Sequence, residues 1–174
     1  MRSASLWLAV AAVLAVGTIT AGNTPRAQAA PSSVVVERAL RGEVRETRVL
    51  HLTMGRLRPS SFYRPDLSHP ERSYMVWSGR LVRARKAYHQ PPHRSAWLCI
   101  HRFEGAWTDG GAPYYGGLQM DWAFMNTYGG RFLRLKGPAG NWTPVEQMWV
   151  AERAYRAGRG FYPWPNTARM CGLL

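Results

Sequence analysis

The hydrophobic residues in the first half of the chain recur at the spacing of an amphipathic helix. Between residues 32 and about 57, Val36, Leu40 and Val44 follow one another every four positions among glutamates and arginines. Gly42 lowers the helix propensity of this stretch without breaking its period. The pattern predicts one helix with a charged, exposed face.

A second hydrophobic stripe begins near Pro70. Its members are Trp77, Leu81, Ala84 and Tyr88, with arginines opposite. The helix that it predicts must end before Pro91 and Pro92, because proline cannot continue a helix. Residues 58–70 contain three prolines and three serines, which predicts a linker between the two helices.

The second half of the chain has the composition of a compact domain, and its first predicted helix spans residues 96–104. Ser95 is the predicted N-cap, and Gly105 ends the helix or loosens it. Trp97, Ile100 and Glu104 lie at positions i, i+3 and i+7, so they share one face.

Glycine and aromatic residues dominate the stretch that follows. Residues 108–121 predict turns around a short hairpin, in which glycine permits positive φ and a close approach of the backbone to a ligand. Thr143, Pro144 and Glu146 form the start signal of a last helix, which runs to about Ala157. Its predicted stripe is Val145, Met148, Trp149 and Tyr155. Residues 160–174 predict an irregular aromatic tail.

The first 29 residues read as a secretory signal peptide. Arg2 precedes a short apolar run at 6–19, and Ala-Gln-Ala at 27–29 offers small residues for cleavage before Ala30. The alternative is a retained membrane anchor, although the run is shorter than the roughly 20 residues that a spanning helix needs. No later segment is apolar enough to cross a membrane.

Export changes the expectation for the two cysteines, Cys99 and Cys171. Both lie after residue 30, and an oxidising compartment favours their pairing. A disulfide between them would close most of the C-terminal half and contribute on the order of 4 kcal/mol. The alternative is two buried free thiols.

The positive charge is concentrated in the first half of the exported chain. The formal net charge is +13, and residues 31–95 carry 13 basic against 5 acidic side chains, compared with 8 against 5 in residues 96–174. In an exported protein such a surface favours anionic envelope polymers over nucleic acid as partners. The alternative is a solvated face that aids solubility.

The candidate chemistry centres on Glu104. Burial beside Trp97 and Phe103 would favour its neutral carboxylic acid, the form that acts as a general acid. Neighbouring aromatic side chains offer flat faces for sugar rings, and Gln119 offers both a donor and an acceptor. A lone glutamate at a helix end is more often a solvated side chain, and a pair of tyrosines is more often part of the core. His89 and His93 have metal-ligand spacing, but the prolines between them remove the helix that would align them, so neither a metal nor a cofactor is expected.

The order of these residues resembles that of a known family. Glu104-Gly-x-Trp107 is followed by Tyr115-Gly-Gly-Leu-Gln119, then by Ala151-Glu152-Arg153, Trp164-Pro165 and a terminal Cys171-Gly172. Over residues 96–174 this order is similar to the transglycosylase-like domain of actinobacterial resuscitation-promoting factors. The resemblance implies a small lysozyme-like fold, of the α+β class and mainly α with a short β-hairpin, that cleaves peptidoglycan glycan strands.

The resemblance also implies a site. It makes Glu104 the catalytic acid and makes the hairpin from Tyr115 to Gln119 the wall of a sugar cleft. The candidate substrate-binding residues are Trp107, Tyr114, Tyr115, Gly116, Gly117, Gln119 and Asp121. It further implies a disulfide between Cys99 and Cys171, although the first cysteine of the family usually stands immediately before the glutamate.

A two-carboxylate hydrolase would need a partner for Glu104, and Asp109 and Asp121 are the candidates. Lytic transglycosylases that resemble this fold use one acid and the N-acetyl group of the substrate, and form an anhydro sugar. We favour the single-acid scheme or a related hydrolysis. The alternative for Asp121 is a cap that orders a loop or a solvated acid.

These patterns predict a signal peptide at 1–29, a basic helical and linker segment at 30–93 and a catalytic domain at 94–174. The expected protein is a secreted or cell-wall-associated, monomeric enzyme that acts on peptidoglycan without a nucleic acid partner. Two alternatives remain: a lysozyme-like module that binds peptidoglycan without cutting it, and a cationic protein that binds envelope polymers through residues 30–95.

Overall fold

Two long helices form the first part of the fold. The computed structural model describes residues 33–174, so the predicted signal peptide lies outside the described residues. Helix α1 (Ser33–Thr53) packs against helix α2 (Pro70–Tyr88), which confirms both predicted helices. Helix α1 ends earlier than expected, because Gly55 turns the chain with a φ of 63°.

Helices α1 and α2 run in the same direction. Ser78 donates a hydrogen bond to Glu43 (2.8 Å), and further along both helices Arg85 pairs with Glu46 (2.7 Å). The connecting segment 54–69 therefore travels back along the pair. It contains a 3₁₀ turn at Ser60–Tyr63 whose aromatic rings pack on Trp77, so the predicted linker is packed against the helices.

Helix α5 (Pro144–Ala154) is the central helix of the second part, and residues 146–152 are all buried. The predicted capping box is present: Thr143 Oγ1 accepts from the Glu146 amide (3.3 Å), and Glu146 accepts from the Thr143 amide (2.9 Å). The helix ends before Ala157. A π-helical turn follows at Tyr155–Arg159, and Gly158, with a φ of 88°, breaks it.

Helix α5 and the turn after it also hold the ends of the first two helices. Arg153 donates to the carbonyl of Thr53 (2.6 Å), and Arg156 donates to that of Met54 (2.9 Å). The indole of Trp149 donates to the carbonyl of Tyr88 (2.7 Å). These side chains satisfy carbonyls at helix ends that have no partner within their own helix.

Helix α3 (Arg94–Glu104) begins at a different cap from the one expected. The prediction of Ser95 as N-cap is wrong, because His93 occupies that position. Glu152, which is fully buried on α5, accepts from the His93 amide (2.7 Å) and from the Trp97 indole (2.9 Å). A carboxylate from another helix therefore accepts from the amide of the N-cap residue and fixes the start of α3. Trp97 and Ile100 are fully buried.

A two-stranded antiparallel hairpin follows α3. Strands β1 (Tyr114–Tyr115) and β2 (Met120–Asp121) pair Tyr114 with Asp121 and Tyr115 with Met120. The sequence did not predict helix α4 (Trp122–Lys136), and the tail expected to be irregular contains helix α6 (Pro165–Met170). The described chain is mainly helical with one small sheet, which confirms the mainly α, α+β class.

The disulfide between Cys99 and Cys171 is present, with the two Cα atoms 6.0 Å apart. It joins the middle of α3 to the residue that follows α6. Within residues 33–174, no helix combines the length and the hydrophobicity that crossing a membrane requires.

Candidate functional site

Glu104, the last residue of α3, lies in an open cleft of about 210 Å³. The cleft is also lined by Tyr114, Gln119, Pro163, Trp164, Pro165 and Asn166. Three predicted site residues, Glu104, Tyr114 and Gln119, are thus brought together. The opposite wall comes from the C-terminal tail, which the sequence did not identify as part of a site.

Thr167, on α6, holds the carboxyl group of Glu104. Its hydroxyl donates to Glu104 Oε1 (2.7 Å), and the residue itself is buried. Trp164 fixes the start of the same helix through a hydrogen bond from its indole to the carbonyl of Leu118 (2.6 Å). Sequence reasoning missed Thr167; the available signal was Pro165, which suits the first position of a helix.

The aromatic surroundings of Glu104 differ from the prediction. Phe103 is 48% exposed and contributes no wall to the cleft, and the Trp97 indole is turned toward Glu152. Adjacent positions on a helix point about 100° apart, so Phe103 cannot share the face of Glu104. The aromatic residues of the cleft are Tyr114 and Trp164.

Gln119 is fixed in the cleft by a network inside the hairpin. Its backbone is left-handed, with a φ of 46°, and its side-chain NH₂ donates to Asp109 (2.8 Å) and to the Gly116 carbonyl (2.9 Å). With both N–H groups used, the amide oxygen remains as an acceptor for a ligand. Hydrogen bonds from the Gly111 amide and from Gln119 lower the pKa of Asp109. In its carboxylate form, Asp109 therefore orients the side-chain amide of Gln119.

Three other predicted site residues make contacts within the protein. Asp121 accepts from the Phe124 amide (2.6 Å) and is the N-cap of α4. Tyr115 packs its ring against Trp122, at 6.4 Å between centroids. Trp107 stacks on His101, at 4.0 Å. None of the three is among the residues that line the Glu104 cleft in the described part of the chain.

The buried side chain of Gln147 determines the position of Gly116 and Gly117. Gln147 accepts from the Gly117 amide (2.9 Å) and donates to the carbonyls of Trp107 (2.8 Å) and Ala139 (2.9 Å). A Cβ on Gly117 would lie 2.6 Å from the Trp107 ring. The two glycines were expected to let a ligand approach the backbone. They instead leave room for other side chains of the protein. Gln147 was not predicted, because its role depends on distant residues.

Replacing Gly116 should destabilise the hairpin. Gly116 has a φ of 73°, and an added Cβ would lie within 2.8 Å of Gln147 Cδ. Left-handed strain and overpacking together predict that Gly116→Ala lowers the free energy of unfolding by about 3 kcal/mol, measured by urea denaturation. The control is Gly110→Ala, where a Cβ meets nothing within 4 Å. Equal stability of the two variants would contradict this account.

The described residues contain no group of three or more His, Cys, Asp or Glu side chains placed to hold a metal ion. His93 contacts Glu152, and His89 is the C-cap of α2.

Comparisons with protein-family models, curated proteins and solved structures gave no match. The cleft offers one oriented carboxyl group, the side-chain amides of Gln119 and Asn166, and the exposed ring of Tyr114.

Proposed function

We propose that this protein is an exported enzyme that cleaves the glycan strands of peptidoglycan, with Glu104 as its single general acid and base. The observation that carries the proposal is the carboxyl group of Glu104, held by Thr167 in an open cleft beside Tyr114 and Trp164. The resemblance of residues 96–174 to the transglycosylase-like domain of resuscitation-promoting factors supports a lysozyme-like fold for this half.

The residues of the cleft suit a one-acid mechanism. Protonated Glu104 gives its proton to the glycosidic oxygen as the bond to the anomeric carbon breaks. The N-acetyl oxygen of the substrate stabilises the positive charge that develops at that carbon. A hydroxyl group of the same sugar, or a water molecule, then adds to the carbon and returns a proton to Glu104. The first route gives an anhydro sugar and the second a reducing sugar.

The binding residues have separable tasks in this scheme. Tyr114, which is half exposed, offers a surface on which a sugar ring stacks, and the buried Trp164 lines the cleft beside it. The amide oxygen of Gln119 accepts from a hydroxyl or an acetamido N–H group. Asp109 maintains the orientation of Gln119, and Asp121 maintains the start of α4. No second carboxylate is required.

Incubation of the purified protein with insoluble peptidoglycan tests the proposal. We expect soluble fragments, and mass spectrometry of products from defined glycan strands distinguishes anhydro from reducing ends. Protein that pellets with the wall yet releases no fragment would instead be a binding module. Absence of both binding and release would contradict the proposal.

Removal of the Thr167 hydroxyl should slow the reaction. Thr167→Val keeps the shape of the side chain but deletes the hydrogen bond to Glu104. Because a hydrogen bond to a charged or ionisable group contributes about 1.5–3 kcal/mol, we expect kcat to fall roughly tenfold or more in assays of fragment release. Thr167→Ser should restore most of kcat. Equal losses in both variants would mean that Thr167 acts through packing alone.

A further inference from the structure

A second pocket, of about 380 Å³, lies between the C-terminal parts of α1 and α2 and the segment that joins them. Its polar lining residues are His51, Arg56, Arg58, Arg80 and Arg83. Met54, Phe62, Ala84 and Ala87 provide its apolar surface. The pocket is distinct from the Glu104 cleft and lies in the basic half of the chain.

The four arginines of this pocket lack counter-ions. All ten acidic side chains of the sequence lie in residues 33–174. Among those residues, the salt bridges of Arg and Lys side chains involve Arg41, Arg85 and Lys136, and none includes an arginine of the pocket. Glu43 and Glu46, which face α2, bind Ser78 and Arg85. The pocket is therefore a concentration of uncompensated positive charge.

His51, which lines the same pocket, is affected by the charges of these arginines. Burial lowers the pKa of His51, and the charges of Arg58 and Arg56 lower it further. Its Nδ1 atom lies 2.8 Å from the Tyr63 hydroxyl, which fixes the ring. The positive charge of the pocket comes from its four arginines.

The guanidinium group of Arg80 is held in place before any ligand arrives. Its Cζ atom lies 4.5 Å from the Trp77 ring centroid and 4.8 Å from that of Phe62. Stacking leaves the N–H edge of the guanidinium free to donate hydrogen bonds. A fixed arginine loses less conformational freedom on binding an anion than a mobile one does.

We propose that this pocket binds a phosphate group that carries an organic or polymeric substituent. Planar guanidinium groups match the oxygen geometry of phosphate and can bind it through two parallel hydrogen bonds. The volume exceeds that of a single phosphate and falls in the range of small-ligand sites, and the apolar residues can contact the substituent. The site does not depend on glycan cleavage by Glu104.

Titration calorimetry with glycerol phosphate and with a phosphodiester polymer tests this site. The test variant is Arg58→Gln/Arg83→Gln. Within the described residues, neither arginine side chain makes a hydrogen bond, an ion pair or a stacking contact with an aromatic ring. We expect the double variant to weaken binding about a hundredfold, or about tenfold for each arginine. The control is Arg72→Gln/Arg134→Gln, which removes the same charge from exposed positions elsewhere and should weaken binding less than about threefold.

NMR of the His51 ring localises the binding. Its signals should shift when either phosphate probe is added to the wild-type protein and should stay unchanged in Arg58→Gln/Arg83→Gln. The tighter of the two probes identifies whether a free phosphate ester or a polymer is the source. Equal weakening in the test and control variants would overturn the proposal. So would duplex DNA binding with the same dependence on Arg58 and Arg83 while neither phosphate probe binds.

Discussion

Glu104→Gln should reduce the release of soluble peptidoglycan fragments by about a thousandfold. General acid and base catalysis by one side chain contributes on the order of 10² to 10⁴ in rate, and an amide can neither give nor take the proton. The substitution keeps the size of the side chain, and the Thr167 hydroxyl can still donate to the amide oxygen. Initial rates of fragment release at saturating wall substrate measure the effect.

The matched variant is Asp121→Asn, which tests the two-carboxylate alternative. Asparagine caps helices about as well as aspartate, so α4 should keep its start and activity should change little. A large loss in Asp121→Asn would assign Asp121 a part in the reaction. Co-sedimentation with insoluble wall should be the same for both variants and the wild type. Full activity of Glu104→Gln would show that Glu104 is not the catalytic acid.

The sequence predicted those helices whose hydrophobic stripe or capping residues lie within the helix itself. The stripes of α1 and α2 and the capping box at Thr143 are read from neighbouring residues, and the structure confirms all three. Helix α4 was missed because Gly129 and Gly130 argue against a helix. The structure requires a glycine at 129, because a Cβ there would lie 2.5 Å from the Trp142 ring.

The sequence predicted one side of the cleft better than the other. Glu104, Tyr114 and Gln119 belong to one continuous stretch, so their proximity follows from a helix end and a hairpin. Trp164 and Thr167 come from the tail, and no local pattern places them opposite Glu104. The arginine pocket could not be predicted from the sequence either. It forms only because α1 and α2 run in the same direction and the connecting segment packs between their C-terminal parts.

Removal of the disulfide, by Cys99→Ser/Cys171→Ser, should lower the free energy of unfolding by about 4 kcal/mol. The bond joins residues separated by 72 positions, and the entropy that it removes from the unfolded chain corresponds to this value. Urea denaturation of the variant and of the wild type, each purified under oxidising conditions, measures the difference. A loss below about 1 kcal/mol would contradict the chain-entropy account.

The same substitution should also disturb the geometry of the site. Cys171 follows Thr167 by one helical turn, so the disulfide ties α6 directly to α3, the helix that ends at Glu104. Without it, packing alone positions α6 beside the end of α3, so the hydrogen bond between Thr167 and Glu104 forms in a smaller fraction of the molecules. We therefore expect kcat to fall in the folded double variant, and the Thr167→Val substitution to cost less in that background than in the wild type. Equal costs in both backgrounds would show that the disulfide stabilises the fold without positioning Thr167.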